Sequence, residues 1–236
     1  MAEQRHDERH DRHDRHRDRQ HAVPVLVIGL GRFGTATALQ LVSQGREVLG
    51  VEQSPQLVQK LAGQLTHVVQ AEATDIDALR QLGAAEFSQA VVGVGTSIES
   101  SVLITANLVD LGISRIWAKA ITKSHGKILS RIGAHHVIFP EADAGRRTAH
   151  LVSGRLLDYM EFDDDFAIVK MHPPRETQGF TLAQADVRAK YGVTVVGVKS
   201  PGEDFSYATP ETSVTARDTL IVAGHVELIE RFAARP

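Results

Sequence analysis

One short run, Gly29-Leu30-Gly31-Arg32-Phe33-Gly34, placed directly after the apolar segment Val23-Pro24-Val25-Leu26-Val27-Ile28, constrains the fold of this chain more than any other feature. Gly29 permits a tight turn, Gly31 lets the backbone approach a pyrophosphate, and Gly34 lets a helix pack closely on the strand before it. The helix start adds unpaired N–H groups that attract negative charge. Glu52 stands about 20 residues past these glycines, at the end of the next apolar run, where a carboxylate accepts hydrogen bonds from ribose hydroxyls. A G-x-G-x-x-G run alone is a weak signal, but strand, loop, helix and acid in this order make a strong one. The combination predicts a polyphosphate on residues 29–34 and a free 2′-hydroxyl at Glu52. A 2′-phosphate would be repelled there, which disfavours NADP.

The pattern that begins at Val23 continues as short β-branched runs alternating with helical stretches, which predicts an α/β fold with a parallel sheet covered on both faces. The runs are 23–28, 47–51, 67–70, 90–94, 115–119 and 136–139, and the helical stretches are 32–43, 55–62, 75–81, 98–111 and 124–131. Ser54-Pro55 reads as an N-cap followed by proline at the first helical position, and Gly83, Gly112 and Gly133 fall where helices should stop. Residues 141–160 read as one connecting helix, with Leu151, Val152, Leu156 and Leu157 as its apolar positions. The stretch 161–236 reads as a small α+β module with strands at 166–171, 193–199 and 219–223 and helices at 182–189 and 225–232. The expected domains are therefore a nucleotide-binding unit at 22–140, a crossover helix at 141–160 and a carboxyl-terminal unit at 161–236.

Residues 1–21 differ in kind. Six Arg, six acids and five His alternate there without apolar periodicity, so nothing offsets the entropy of ordering them and a disordered tail is expected. Over the whole chain of 236 residues the formal net charge is -3, too small for a broad basic nucleic-acid surface, and no nucleic-acid partner is expected. Cysteine is absent, which removes disulfides, thiolate metal sites and a cysteine nucleophile. No apolar stretch reaches the ~20 residues that cross a bilayer.

Gln70-Ala71-Glu72-Ala73-Thr74-Asp75 follows the third run, placing small and polar residues at the carboxyl edge of the sheet. Ala71, Ala73 and Thr74 are candidates to line an adenosine, although Thr74 or Asp75 serves equally well as a helix cap. His125, His135 and His136 are the candidate bases if the chain were an NAD-dependent oxidoreductase, a reading the same fingerprint allows. Against it, no paired acid, base and oxyanion donor can be identified.

The combined motifs GLGRFG at 29–34, Glu52, AEATD at 71–75, IWAKA at 116–120, RIGAHHVIFPE at 131–141 and VRAKYGVTVVGVK at 187–199 resemble the RCK (regulator of potassium conductance) subunits of bacterial Ktr and Trk potassium transporters. The resemblance spans residues 22–236 and is closer to the Ktr branch. It implies a Rossmann-like lobe, a crossover helix that pairs two subunits, a small carboxyl-terminal lobe and an octameric ring serving a membrane potassium-translocating subunit, hence a cytoplasmic location at the inner membrane face. It also implies that Arg32 reaches the terminal phosphate of ATP, which favours ATP/ADP over the NAD/NADH typical of the Trk branch. Lys119 is implied near phosphate or a neighbouring acid, and Glu141 as a carboxylate ligand for Mg2+ or Ca2+. Arg188 is implied to meet a phosphate of cyclic di-AMP. Asp186 departs from the Asn expected beside it and would repel that phosphate. A freestanding nucleotide sensor is the remaining alternative.

Overall fold

The computed structural model describes residues 23–162 and 165–235, so the disorder expected of residues 1–21 lies outside the described residues. The chain divides into two compact units, the first ending at Glu141 and the second beginning at Ala142.

The first unit alternates strand and helix: β1 (Val25–Ile28), α1 (Arg32–Ser43), β2 (Val48–Glu52), α2 (Pro55–Leu61), β3 (His67–Gln70), α3 (Ile76–Gln81), β4 (Gln89–Val92), α4 (Ile98–Asp110), β5 (Arg115–Lys119), α5 (Lys123–Ile132) and β6 (His136–Ile138). Its six strands are parallel in the order β3-β2-β1-β4-β5-β6, with Val27 opposite Gly50 on one side and Val91 on the other. The order reverses direction between β1 and β4, and in such sheets the crevice beyond the strand ends at that point binds ligands. Every residue of β1 is buried, as expected of a central strand covered on both faces.

Successive side chains of a strand point to opposite faces, and β1 divides its residues accordingly. Val25 and Val27 join Ala38 of α1 and Leu61 of α2 in one core cluster. Leu26 and Ile28 join Leu79, Ile104, Leu108 and Leu129 of α3, α4 and α5 in the other. Each buried Val, Leu or Ile among them contributes about 1.5–3 kcal/mol, so the two layers together hold the sheet between its helices. The helix starts are fixed by Ser54, Asp75, Ser97 and Thr122, whose side chains accept from Leu57, Asp77, Ser100 and His125 backbone N–H groups. The strand expected over 90–94 stops at Val92, leaving Gly93 and Val94 in the turn that follows.

The second unit carries α6 (Pro140–Val152, which starts at the end of the first unit), β7 (Leu156–Glu161), β8 (Phe166–Met171), α7 (Leu182–Ala185), α8 (Val187–Tyr191), β9 (Thr194–Lys199), β10 (Ser206–Tyr207), β11 (Thr219–His225) and α9 (Val226–Ala233). Its five strands run antiparallel in the order β10-β9-β11-β8-β7. Val169, Met171, Leu220 and Val222 of the sheet pack with Val187, Ile229 and Phe232 of the helices.

The expected helix over 141–160 is corrected here. Gly154, at φ 72, takes a left-handed conformation that ends α6, and residues 156–161 form a strand paired with β8. Leu156 and Tyr159 enter the core while Met160 faces outward. The helix expected over 182–189 likewise breaks at Asp186, which adopts φ 47 and ψ 44, a region that Asp and Asn tolerate better than most residues.

Candidate functional site

The crevice beyond β1 and β4 is a cleft of about 360 Å³. Gly29, at φ 81, turns the chain out of β1, and its N–H donates to Val51 O at 2.9 Å while Gly93 N–H donates to Ile28 O at 2.7 Å. A Cβ at Gly34 would lie 1.9 Å from Gly29 O, so only glycine lets α1 start this close to the turn. A Cβ at Gly31 would meet nothing within 4 Å, and this residue faces the cleft as the N-cap of α1 without a side-chain cap. Free backbone N–H groups and the positive end of the helix dipole therefore look onto open space, which is what a phosphate requires.

Glu52 forms the facing wall. Its two oxygens accept from Leu30 N–H at 2.7 Å and Ser54 N–H at 3.0 Å, tying the glycine turn to the end of β2. A carboxylate has about four acceptor positions, so lone pairs remain for ribose hydroxyls. Ala71, Glu72 and Ala73 complete that side. Glu72 is itself fixed: it accepts from Gln53 Nε2, from Thr74 N–H at 3.0 Å and from Thr74 Oγ1 at 2.6 Å. Opposite them, Gly93, Val94, Gly95, Thr96, Ser97 and Ser100 form a second lip leading into α4. Sequence reasoning missed this lip; the signal that could have found it is the repetition of strand, G-x-G and helix cap at 93–97.

The structure thus gathers Gly29, Gly31, Glu52, Ala71 and Ala73 around one cleft and leaves other expected residues out of its lining. Phe33, half-buried, packs against the Val25–Val27 core layer. Thr74 spends its hydroxyl on Glu72, and Asp75 rather than Thr74 caps α3. Arg32 opens α1, and among the described residues it has no carboxylate within salt-bridge distance.

Lys119 Nζ pairs with Glu141 Oε1 at 2.6 Å. This bond first, and the N–H of Glu141 itself second, hold the Glu141 carboxyl below the ordinary carboxylate range against desolvation, with lesser help from the charges of Lys119 and Arg32. Among the described residues no group of three or more His, Cys, Asp or Glu converges for a metal ion. Glu141 offers a single carboxylate already engaged by an ammonium, so these residues alone do not fit a divalent cation.

The three histidines do not assemble a catalytic base. His125 is buried, its Nδ1 accepts from Ile121 N–H at 3.4 Å, and desolvation lowers its pKa, so the ring is neutral packing. His135 Nδ1 accepts from Ile116 N–H at 3.2 Å, and His136 stacks on Trp117 with ring centres 5.0 Å apart. In the second unit Asp186 and Arg188 flank a shallow depression of about 230 Å³.

Comparison with known proteins agrees with this geometry. Residues 25–140 match the family described as the TrkA-N domain. The chain is 37% identical over 207 residues to Ktr system potassium uptake protein A of Bacillus subtilis, covering 87% of this chain and 93% of that one. It is 37% identical over 210 residues to Ktr system potassium uptake protein C of the same organism, covering 89% and 95%. The crystal structure of the GsuK RCK domain shares the fold with a TM-score of 0.63 at 20% identity, over 90% of this chain and 48% of that one. Fingerprint, strand order and these similarities lead to one conclusion: the chain belongs to the Ktr-type RCK family, with a TrkA-N domain as its first unit.

Proposed function

We propose that this protein is a regulatory subunit of a potassium uptake system, and that an adenine nucleotide bound in the first unit sets the state of a separate membrane potassium-translocating subunit. The observation that carries the reading is the open backbone at Gly31 facing a fixed Glu52 across the cleft. The similar proteins bear the name of a potassium uptake system, which supports the transport role, and among the described residues no helix is long and apolar enough to cross a membrane. In this reading the glycine turn holds the phosphates and Glu52 the ribose, with Ala71 and Ala73 beside the base.

The nucleotide we favour is ATP or ADP, because Arg32 at the start of α1 supplies a cation next to the phosphate cradle. Discrimination between them requires a difference in affinity between two states of the subunit, since a ligand that binds both equally shifts nothing. The γ-phosphate supplies that difference through its added charge. No covalent step is needed. A ring of subunits, paired through the helix after Pro140, is the assembly this reading calls for; cyclic di-AMP would meet Arg188 in the depression beside it only against the repulsion of Asp186. A divalent cation would need phosphate oxygens or a second subunit to complete its ligands around Glu141.

The test is uptake. Co-expressed with its membrane subunit in cells lacking other potassium uptake, the wild-type chain should restore growth at limiting potassium, whereas Glu52→Ala should not. Equal rescue by the two chains would remove the nucleotide from the regulation, and no rescue with any candidate pore would remove the transport role.

A further inference from the structure

Two walls of the cleft come from separate parts of the chain, one from the turn after β3 and one from the turn after β4. Asn107 joins them. It stands on α4, the helix that continues from the second wall, three residues past Ile104, which lines the cleft. Its Nδ2 donates to Thr74 O at 2.9 Å and to Ala73 O at 3.4 Å. Both partners are carbonyls, so the amide must present its NH2 group to them. Among the described residues no other hydrogen bond joins 71–75 to 93–110. Asn107 itself stays outside the cleft lining.

The turn that Asn107 holds carries Glu72, whose carboxylate belongs to the lining. Its Oε1 accepts from the N–H and the hydroxyl of Thr74, and its Oε2 accepts from Gln53 Nε2. A carboxylate has about four acceptor positions, so one stays open, on Oε2. That position accepts and cannot donate. The exocyclic amine of adenine donates to such a group, whereas a 6-oxopurine in the same pose sets a carbonyl oxygen against it. Glu72 is exposed, and a base lying over it strengthens the contact by removing water.

Resting on the nucleotide-binding reading above and deepening it, we infer that Asn107 is a positioning residue for the base. By tying the carbonyls of Ala73 and Thr74 to α4, it holds the Glu72 acceptor where a 6-aminopurine is preferred to a 6-oxopurine. It acts through the turn after β3 and touches no ligand. Without the tether residues 72–74 shift and the acceptor loses register with the base. The glycine turn is bound to Glu52 through Leu30 N–H and keeps its place, so selectivity falls while the phosphate cradle survives.

Calorimetric titration of ADP and of inosine diphosphate, which differ at the C6 edge of the base, tests this on the full chain and on Asn107→Leu, Glu72→Ala and the double variant. The wild type should prefer ADP about tenfold, the size of one hydrogen bond to a charged group. Asn107→Leu should reduce that preference to about threefold or less, and Glu72→Ala should bring it to about one. In the Glu72→Ala background Asn107→Leu should leave the ratio unchanged, because the asparagine acts through that carboxylate. A merely structural role would weaken both nucleotides by the same factor. Equal weakening, or an unchanged ratio, in Asn107→Leu overturns the positioning role, and a wild type that binds the two alike overturns the reading of the base. Either result leaves the nucleotide reading intact, whereas absence of binding by both nucleotides overturns that as well. If Asn107→Leu melts early, Asn107→Asp keeps the size of the side chain, sets an oxygen against the two carbonyls and should lower the ratio in the same way, with circular dichroism establishing the fold of each variant.

Discussion

Gly31 and Gly34 stand three positions apart in one motif and do opposite work. A methyl group on Gly34 would sit 1.9 Å from the Gly29 carbonyl oxygen, a backbone collision that no rotamer relieves. Gly34→Ala should therefore cost the first unit at least about 3 kcal/mol in urea denaturation. Gly31 has open space instead and no positive φ, so Gly31→Ala should cost no more than about 1 kcal/mol, the scale of an altered helix cap. Glu52 combines both roles. Removing its carboxylate leaves Leu30 N–H without a partner, and Glu52→Ala should lose about 1–3 kcal/mol of stability together with nucleotide affinity, read by denaturation and titration on the same variant. The sequence displayed these residues because glycine spacing and a charged strand end are local properties. The packing of Phe33 is less legible: which face of α1 a residue occupies follows from where the strands pack, and Phe33 lies against the Val25–Val27 layer.

Helix α5 gives an element-level case with a definite pH dependence. Its first turn contains His125, buried and with a pKa lowered from 6.5 by desolvation. The unfolded chain therefore takes up the proton before the folded one does. The contribution of the neutral ring is complete above pH about 6.5 and is lost as pH falls toward the lower folded value. Stability of the first unit measured against pH should slope downward below that point, and the slope attributable to this ring should vanish in His125→Leu. An unchanged slope would show that His125 is not the group that titrates. Elements differed in how readily they could be read. The strands of the first unit are short β-branched runs punctuated by capped helices, and periodicity locates them. Residues 156–160 read as helix because Leu156 and Leu157 suit either period, whereas the structure holds a strand over 156–161. The left-handed Gly154 and pairing with β8 decide the matter, and that partner is formed from a later part of the chain. The second lip of the cleft at 93–97 escaped for a related reason, since only the parallel register of β1 and β4 brings it opposite the glycine turn.

At the scale of the molecule, each unit has its own hydrophobic core, and a ligand of the first stabilises only what that core supports. Near 100 times its dissociation constant a nucleotide should add ~2.7 kcal/mol to the first unit. Calorimetric scans should then show the transition of that unit moving upward while that of the second stays in place, provided the two melt separately. The central claim is that a backbone cradle at residues 29–34, braced by Glu52, holds the phosphates of an adenosine nucleotide. It is tested most directly by titrating ADP into the wild-type chain and into Gly31→Ala with heat of binding as the readout. The account predicts saturable binding to the wild type, and its loss in a variant whose melting temperature is nearly unchanged. A folded wild-type chain that takes up neither ADP nor ATP, NAD or NADH, or a Gly31→Ala variant that binds as tightly as the wild type, would contradict it.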